Sequence, residues 1–299
     1  MIKVGILHPG SAFYPEIVAY KSYLSSSGGI EVADFTDVRL ACAYADVLFV
    51  LCGFFPFWRI PRSNVIVEYH SLSTGRFSVW KNLIKRVFNV RGEHYVFLSE
   101  KVRKNLFFLK SVSHSTRGMG FDQNLVDKYK KSDKDFDLVY SGSTGRPGVY
   151  DAIGKIAKLG LSIAVVGNSD KDACEFSSLS NGQISFFGRV SLEESYKIMA
   201  RARFGLNFTP NVYPFNIQDS TKVIEYCALG LGVVTNKYEW VTCFEKSISA
   251  KFMNLEDVSS REQFEGFQFS CGAIDGYSWD KVIERSGIER RIRNLANFG

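Results

Sequence analysis

Two short stretches of this 299-residue sequence carry side chains whose types and spacing could act on an anionic, hydroxyl-bearing ligand. In SGSTGRPG (141–148), Gly142, Gly145 and Gly148 let backbone amides approach a ligand, Ser143 and Thr144 offer hydroxyls, and Arg146 offers a guanidinium that forks onto phosphate oxygens. The stretch fits neither G-x-G-x-x-G nor G-x-x-x-x-G-K-[ST], and a tight strand-to-helix turn with a surface arginine is its simpler reading. The second stretch, DSTKVIEYCALGLGVVTN (219–236), says more. Its polar cluster opens a helix, and Lys222 and Glu225, three apart, share one face. The hydroxyls of Ser220 and Thr221, first-turn amides and an ammonium make an anion site, while a carboxylate one turn later accepts two hydrogen bonds from a vicinal diol. A nucleoside diphosphate offers phosphates and ribose together. The alternative is an ordinary surface ion pair between Lys222 and Glu225.

The formal charge of +6 is unevenly distributed. Residues 1–130 hold 17 Lys and Arg against 10 Asp and Glu, and nine of those cations fall between Arg76 and Lys110, where only Glu93 and Glu100 oppose them. Trp80, Leu83, Ile84, Val87 and Phe88 follow the i, i+3, i+4, i+7, i+8 rule and form one apolar stripe, flanked by Lys81, Lys85 and Arg86. KVRKNLFFLK (101–110) repeats the mixture with Arg103, Lys104, Phe107 and Phe108. Each stripe could pack on the sheet of its own domain and leave the cations to water. Together they favour an anionic membrane surface, with Trp80, Lys81, Lys85, Arg86, Arg103 and Lys104 facing it.

The elements that must position these groups alternate between short β-rich runs and helical patterns, the sign of parallel sheets covered by helices. Strands are predicted at 3–8, 47–52, 65–69 and 95–98, with helices at 15–26, 38–44, 80–90 and 99–110. A second series places strands at 138–140, 162–166, 184–187, 205–208 and 232–235, and helices at 149–159, 192–202 and 221–229. Ser191 and Glu194 form a capping box, and Gly160 and Gly230 sit where helices must end. The polar stretch KYKKSDKDFD (128–137) is the linker, giving two doubly wound Rossmann-like domains at 1–132 and 133–278 and a helix at 279–299 returning to the first.

At 45% apolar and 23% charged residues, with no apolar run near the roughly 18 a membrane span needs, disordered, collagenous and integral membrane classes are excluded. The start, MIKVGILHPG, reads as a first strand rather than a leader. Six cysteines without C-x-x-C or zinc spacing fit reduced thiols, so a cytoplasmic chain without structural metal is expected.

The order of the glycine and arginine loop (142–148), VVGNS (165–169), FFGRVSLEE (186–194), GLNFTP (205–210) and STKVIEYCALGLGVV (220–234) resembles the donor domain of GT-B glycosyltransferases. More narrowly, it is similar to the nucleotide-sugar-dependent bacterial family that builds polysaccharide and lipopolysaccharide. Weaker echoes are VIVEYHS (65–71), VFLSEKVRKNL (96–106), RGMGFD (117–122) and YSWDKVI (277–283).

The resemblance implies that Glu225 binds the ribose, that Ser220, Thr221 and Lys222 bind the diphosphate, and that Arg146 clamps phosphate beside Gly142 and Ser143. Gly188, Arg189 and Val190 would lie by the base, with Asn168 also among the donor-binding residues, Gly10 by the sugar and acceptor, and His70 against the donor sugar as a catalytic candidate. Many retaining members carry a second glutamate eight positions before the ribose-binding one; Ile217 stands there, and neighbouring Asp219 is the other catalytic candidate. Asp-x-Asp in DKDFD (133–137) precedes a strand and reads as solvated, so no metal is expected: cations and a helix N-terminus would neutralise the leaving diphosphate. The expected partners are a nucleotide sugar, most simply a UDP-sugar, a saccharide or lipid-linked acceptor and an anionic membrane at its inner face, not nucleic acid. A non-catalytic nucleotide-binding module and a nucleotide-sugar epimerase are the alternatives, the latter having no use for basic aromatic helices.

Overall fold

A computed structural model describes residues 1–10, 14–51, 53–168 and 183–297, so Cys52, Cys174 and Ser169 fall outside the described residues. The chain divides into two compact units, Met1–Met119 with Trp279–Gly299, and Gly120–Ser278.

The first unit contains β1 (Ile2–Leu7), α1 (Pro15–Ser26), β2 (Ile30–Phe35), α2 (Val38–Tyr44), β3 (Val47–Leu51), β4 (Val65–Tyr69), α3 (Ser78–Phe88), β5 (His94–Phe97), α4 (Glu100–Asn105) and β6 (His114–Thr116). The second contains α5 (Gln123–Tyr129), β7 (Phe136–Ser141), α6 (Val149–Ala157), β8 (Ile163–Val166), β9 (Ile184–Gly188), α7 (Leu192–Ala200), β10 (Ala202–Asn207), α8 (Thr221–Ala228), β11 (Gly232–Thr235), α9 (Glu239–Ser247), β12 (Met253–Asn254) and α10 (Arg261–Gly266). Then α11 (Trp279–Ser286) and α12 (Ile288–Asn297) complete the first unit. Each sheet is six-stranded and parallel, in the orders β2-β1-β3-β4-β5-β6 and β12-β11-β10-β7-β8-β9.

The inner strands read as continuous apolar runs because helices cover both faces; VLFVL of β3 is buried throughout. The edge strands were harder to read. β2 buries Ile30 alone and leaves its other residues partly or fully exposed, while β6 and β12 span three and two residues, too short for a periodic signal. Residues 120–132 belong to the second unit rather than the first, because Asp122 N–H donates to Tyr196 Oη at 3.1 Å and Lys128 and Tyr129 both reach Glu193. The returning segment is two helices separated by Gly287, and their Trp279, Val282, Ile283, Ile288 and Ile292 pack into the core of Val4, Ile6, Tyr20 and Phe49.

α3 docks in the sense opposite to its apolar pattern. Asn82 and Asn89, seven apart, face the unit. Asn82 Oδ1 accepts from Ser73 N–H at 2.9 Å, and Asn89 accepts from Phe55 N–H at 2.7 Å and donates to Tyr69 Oη at 2.9 Å. The stripe consequently faces solvent, from Leu83 at 39% exposed to Trp80 at 65%. α4 stops at Asn105 instead of reaching 110 because Phe107 takes a left-handed φ of 61°. Among the described residues, no helix is long and apolar enough to cross a membrane.

At the carboxyl edge of the second sheet the chain passes itself with no room for side chains. A Cβ on Gly167, whose φ is +139°, would lie 2.0 Å from the Gly142 carbonyl oxygen, whereas one on Gly160, at φ +75°, would meet open space. Gly167→Ala is therefore expected to destabilise the protein by at least about 2 kcal/mol, and Gly160→Ala by about 1 kcal/mol from backbone strain alone. Equal urea midpoints for the two variants would contradict the close approach.

Candidate functional site

In a doubly wound sheet, ligands settle at the carboxyl ends of neighbouring strands whose connections run to opposite sides. In the second unit that place is between β7 and β10, and a cavity of about 300 Å³ lies there. β7 and its loop supply Tyr140, Ser141, Gly142 and Arg146; β10 and its loop supply Leu206 to Thr209, Phe215, Gln218 and Asp219. The N-terminus of α8 supplies Ser220, Thr221 and Lys222.

A buried polar network holds this wall. Ser220 caps α8, accepting from Val223 N–H, and its hydroxyl donates to Asn207 Oδ1 at 3.0 Å. The Asn207 amide donates to Thr235 Oγ1 at 2.8 Å and Tyr238 Oη at 3.2 Å, while Asn236 pairs with both backbone groups of Thr209 at 2.9 and 2.7 Å. The Ser220 hydroxyl is thus committed to the cap. The first-turn amides of Thr221 and Lys222, which have no acceptor within their helix, are left as donors at the cavity. On the β7 side, Tyr140 Oη donates to the Ser143 carbonyl at 2.9 Å and Ser141 N–H donates to Tyr226 Oη at 2.9 Å, fixing the glycine loop at both ends. Burial pushes the Tyr140 phenol up, and the exposed Arg146 guanidinium beside it pulls the other way.

The structure therefore brings Gly142, Arg146, Asp219, Ser220, Thr221 and Lys222 to one cavity. Glu225 lies one turn deeper, 2% exposed, with Lys222 Nζ 2.6 Å from its Oε2. The sequence reading has these two groups at opposite ends of one ligand; here they bind each other. Ser143, Asn168, Arg189 and Val190 sit on the loops after β7, β8 and β9 and do not line the cavity, although the Asn168 carbonyl accepts from Thr144 N–H and Oγ1 and ties two of those loops together. Ile217 is buried at 9%, so the side chains presented at that point of the wall are Gln218 and Asp219. Gln218 Nε2 is buried and has no hydrogen-bond partner among the described residues. Asn207, Thr209 and Tyr140 escaped the sequence reading as site residues; for Asn207 and Thr209 the run GLNFTP (205–210) held the signal, as polar residues closing an apolar strand.

In the first unit, His70 follows β4 and meets carboxylates at both ring nitrogens: Glu16 Oε1 lies 2.7 Å from Nδ1, and Glu68 Oε1 contacts Nε2. Arg117 Nη2 also lies 3.2 Å from Nε2, so both ring nitrogens are engaged within the unit. Glu68 is fully buried and also receives Arg117 Nη2 at 2.6 Å and Tyr20 Oη at 2.5 Å. Burial alone would raise the Glu68 carboxyl, but Arg117 and His70 hold it down at about 2; Glu16 is likewise lowered against its burial, first by His70. Arg117 also stacks on the Trp279 ring at 5.1 Å, joining the network to α11. An acidic residue inside the buried run VIVEY (65–69) was the signal for this network, since such a position demands a cationic partner. Gly10 lies in the loop after β1, its N–H donating to His8 Nδ1 at 3.2 Å.

Of the residues expected to face a membrane, Trp80, Lys81 and Lys104 are exposed and Lys85 and Arg86 partly so. Arg103 does not face outward: it is 2% exposed, bonded to Glu100 at 2.9 Å and to the Phe108 carbonyl, because the left-handed turn at Phe107 folds the chain back over it.

No protein-family profile matches the chain, and no curated protein matches it. Solved structures do. AviGT4, a glycosyltransferase involved in avilamycin A biosynthesis, superimposes with a TM-score of 0.66 at 15% identity, over 100% of this chain and 99% of its own. Anabaena Alr3699/HepE in complex with UDP superimposes with a TM-score of 0.59 at 13% identity, over 99% of this chain and 98% of its own. The HepE complex with UDP-glucose gives 0.59 at 13%, over 100% and 99%. At such identities the likeness shows the fold, the two-domain α/β architecture known as GT-B.

Removing one partner of a buried ion pair strands the other, so Arg117→Leu is expected to lower stability by about 3–5 kcal/mol in urea denaturation. Glu68 titrates at about 2 when folded against an ordinary 4.5, so the unfolded chain takes up its proton first as pH falls. The stability it contributes is whole above that ordinary value and drains away as the pH drops toward 2. Glu68→Gln should flatten the urea-midpoint profile in that window; an unchanged slope would show that the carboxylate is not the linked group.

Proposed function

We propose that this protein is a glycosyltransferase that takes a sugar from a nucleoside-diphosphate sugar, most simply a UDP-sugar, and passes it to a saccharide or lipid-linked saccharide acceptor of the cell surface. The observation carrying this reading is the cavity at the β7/β10 edge, where a guanidinium, an ammonium and the first-turn amides of α8 converge. AviGT4 and HepE, one described as a glycosyltransferase and the other as bound to UDP and UDP-glucose, support it through their shared fold.

In this reading Arg146 and the amides of Thr221 and Lys222 take the diphosphate. Arrival of that dianion draws the Lys222 ammonium away from Glu225 and onto phosphate, which frees the carboxylate to receive the two ribose hydroxyls. Gln218, whose buried amide lacks an acceptor, and Asp219 stand at the cavity wall where the sugar would lie. Charge on the leaving diphosphate is neutralised by Arg146, Lys222 and the helix terminus without a metal held by protein side chains. His70, doubly bonded to carboxylates, is assigned a positioning role and not that of a base. The buried Ile217, where a second glutamate stands in many retaining members, favours one further reading, a nucleotide-binding module without turnover.

Calorimetry with UDP tests the proposal. Arg146→Ala is expected to weaken binding by about 10- to 100-fold with an unchanged melting temperature, since charged hydrogen bonds contribute roughly 1.5–3 kcal/mol and Arg146 is exposed. Glu225→Gln, which keeps the shape of the buried side chain, should weaken it comparably. Unaltered affinity in both variants would remove the donor site from this cavity, and binding without transfer from any UDP-sugar would favour the module.

A further inference from the structure

The first unit presents an apolar helix face to solvent, which is the reverse of what a helix on a soluble sheet does. Its inward face is held by Asn82 and Asn89, leaving the stripe from Trp80 to Phe88 outside. The turn after α4 adds Phe107 and Leu109, 47% and 68% exposed, and Arg86 lies 4.5 Å over the Phe108 ring between the two segments. Twelve of the seventeen exposed large hydrophobic side chains among the described residues fall between 54 and 109, so this is one patch and not a scatter of single residues.

Two features name what covers it. Of the nine cations between Arg76 and Lys110, all but Arg103 are at least partly exposed, while Glu100 is taken up by Arg103 and His114, leaving Glu93 as the opposing charge within that stretch. An apolar stripe rimmed by lysine and arginine fits an interface that is oily within and anionic at its surface; nucleic acid would use the cations and leave five apolar side chains in water. In addition, Phe107 holds a left-handed φ of 61°, a conformation strained for a bulky residue and one that glycine adopts freely. Arg103, bonded to the Phe108 carbonyl, locks the turn that presents this ring.

We infer that α3 and the Phe107 turn dock the protein onto an anionic lipid surface. At 11 residues, α3 is about 16 Å long, half a bilayer core, so it lies in the interface with Trp80 and Ile84 among the acyl chains and Lys81, Lys85 and Arg86 at the headgroups. This docking does not depend on the nucleotide assignment.

Co-sedimentation of the full chain with phosphatidylcholine vesicles, with and without phosphatidylglycerol, tests it. Binding is expected only to the anionic vesicles and is expected to weaken as salt rises. The double variant Trp80→Glu/Ile84→Glu should lose more than about tenfold in partitioning. Phe107→Gly should also bind more weakly while its melting temperature stays unchanged or rises, a split that a merely structural phenylalanine would not give. The UDP-induced melting shift should be the same in all three proteins, which separates this result from the fate of the donor site. Equal binding to neutral vesicles, undiminished binding by the variants, or a lipid-free dimer that the double variant converts to monomer would overturn the inference, the last by giving the patch to a second copy.

Discussion

A parallel sheet brings the carboxyl ends of all its strands to one edge, and what the second unit can hold is set by how tightly the chain passes there. The carbonyl of Gly142 occupies the space that a side chain at 167 would need. Because the loops after β7 and β8 touch backbone to backbone, Tyr140, Tyr226 and Thr144 can fix them with one or two hydrogen bonds each. The buried amides of Asn207 and Asn236 then tie the end of β10 to the start of α8 and to β11. The first-turn amides of α8 are thus part of a rigid frame, the kind of preorganised donor set that needs little reorganisation.

Each unit buries a glutamate beside a cation, and the two pairs differ in what surrounds them. Glu68 is met by Arg117, His70 and Tyr20, all packed inside the first unit, so no partner can leave without stranding a charge. Glu225 is held by Lys222, whose side chain is 29% exposed at the cavity and moves on a flexible stem. The first arrangement is a fixture. The second is open on one side, its cation reaching solvent at the cavity.

Much of this was legible in the residues. Inner strands announce themselves as unbroken apolar runs, and the helices at Pro15–Ser26 and Val38–Tyr44 were bounded by proline and by the Asp37 cap. The glycine and arginine loop and the α8 terminus, which line one cavity, were legible too, since few segments combine glycines, hydroxyls and a lone arginine after a strand. What the pattern could not supply was partner choice across the chain. The stripe on α3 specifies which residues share a face, and only Asn82 and Asn89 decide which face turns inward. Arg103 reads like its neighbours until the turn at Phe107 folds over it. The contact between Lys222 and Glu225 is visible from spacing, yet whether it stands alone or gives way to a ligand depends on a cavity built from two other loops.

The helices α11 and α12 carry a consequence for how the protein comes into being. Their apolar side chains complete a hydrophobic core that begins with β1, while the whole of the second unit lies between them in the chain. During synthesis the second unit is contiguous and can finish folding as it emerges, whereas the earlier unit waits, with the partners of Val4, Tyr20 and Phe49 still untranslated. Completion therefore runs from the middle of this chain outward, and a chain ending at residue 278 would carry a contiguous second unit attached to an unsealed first one.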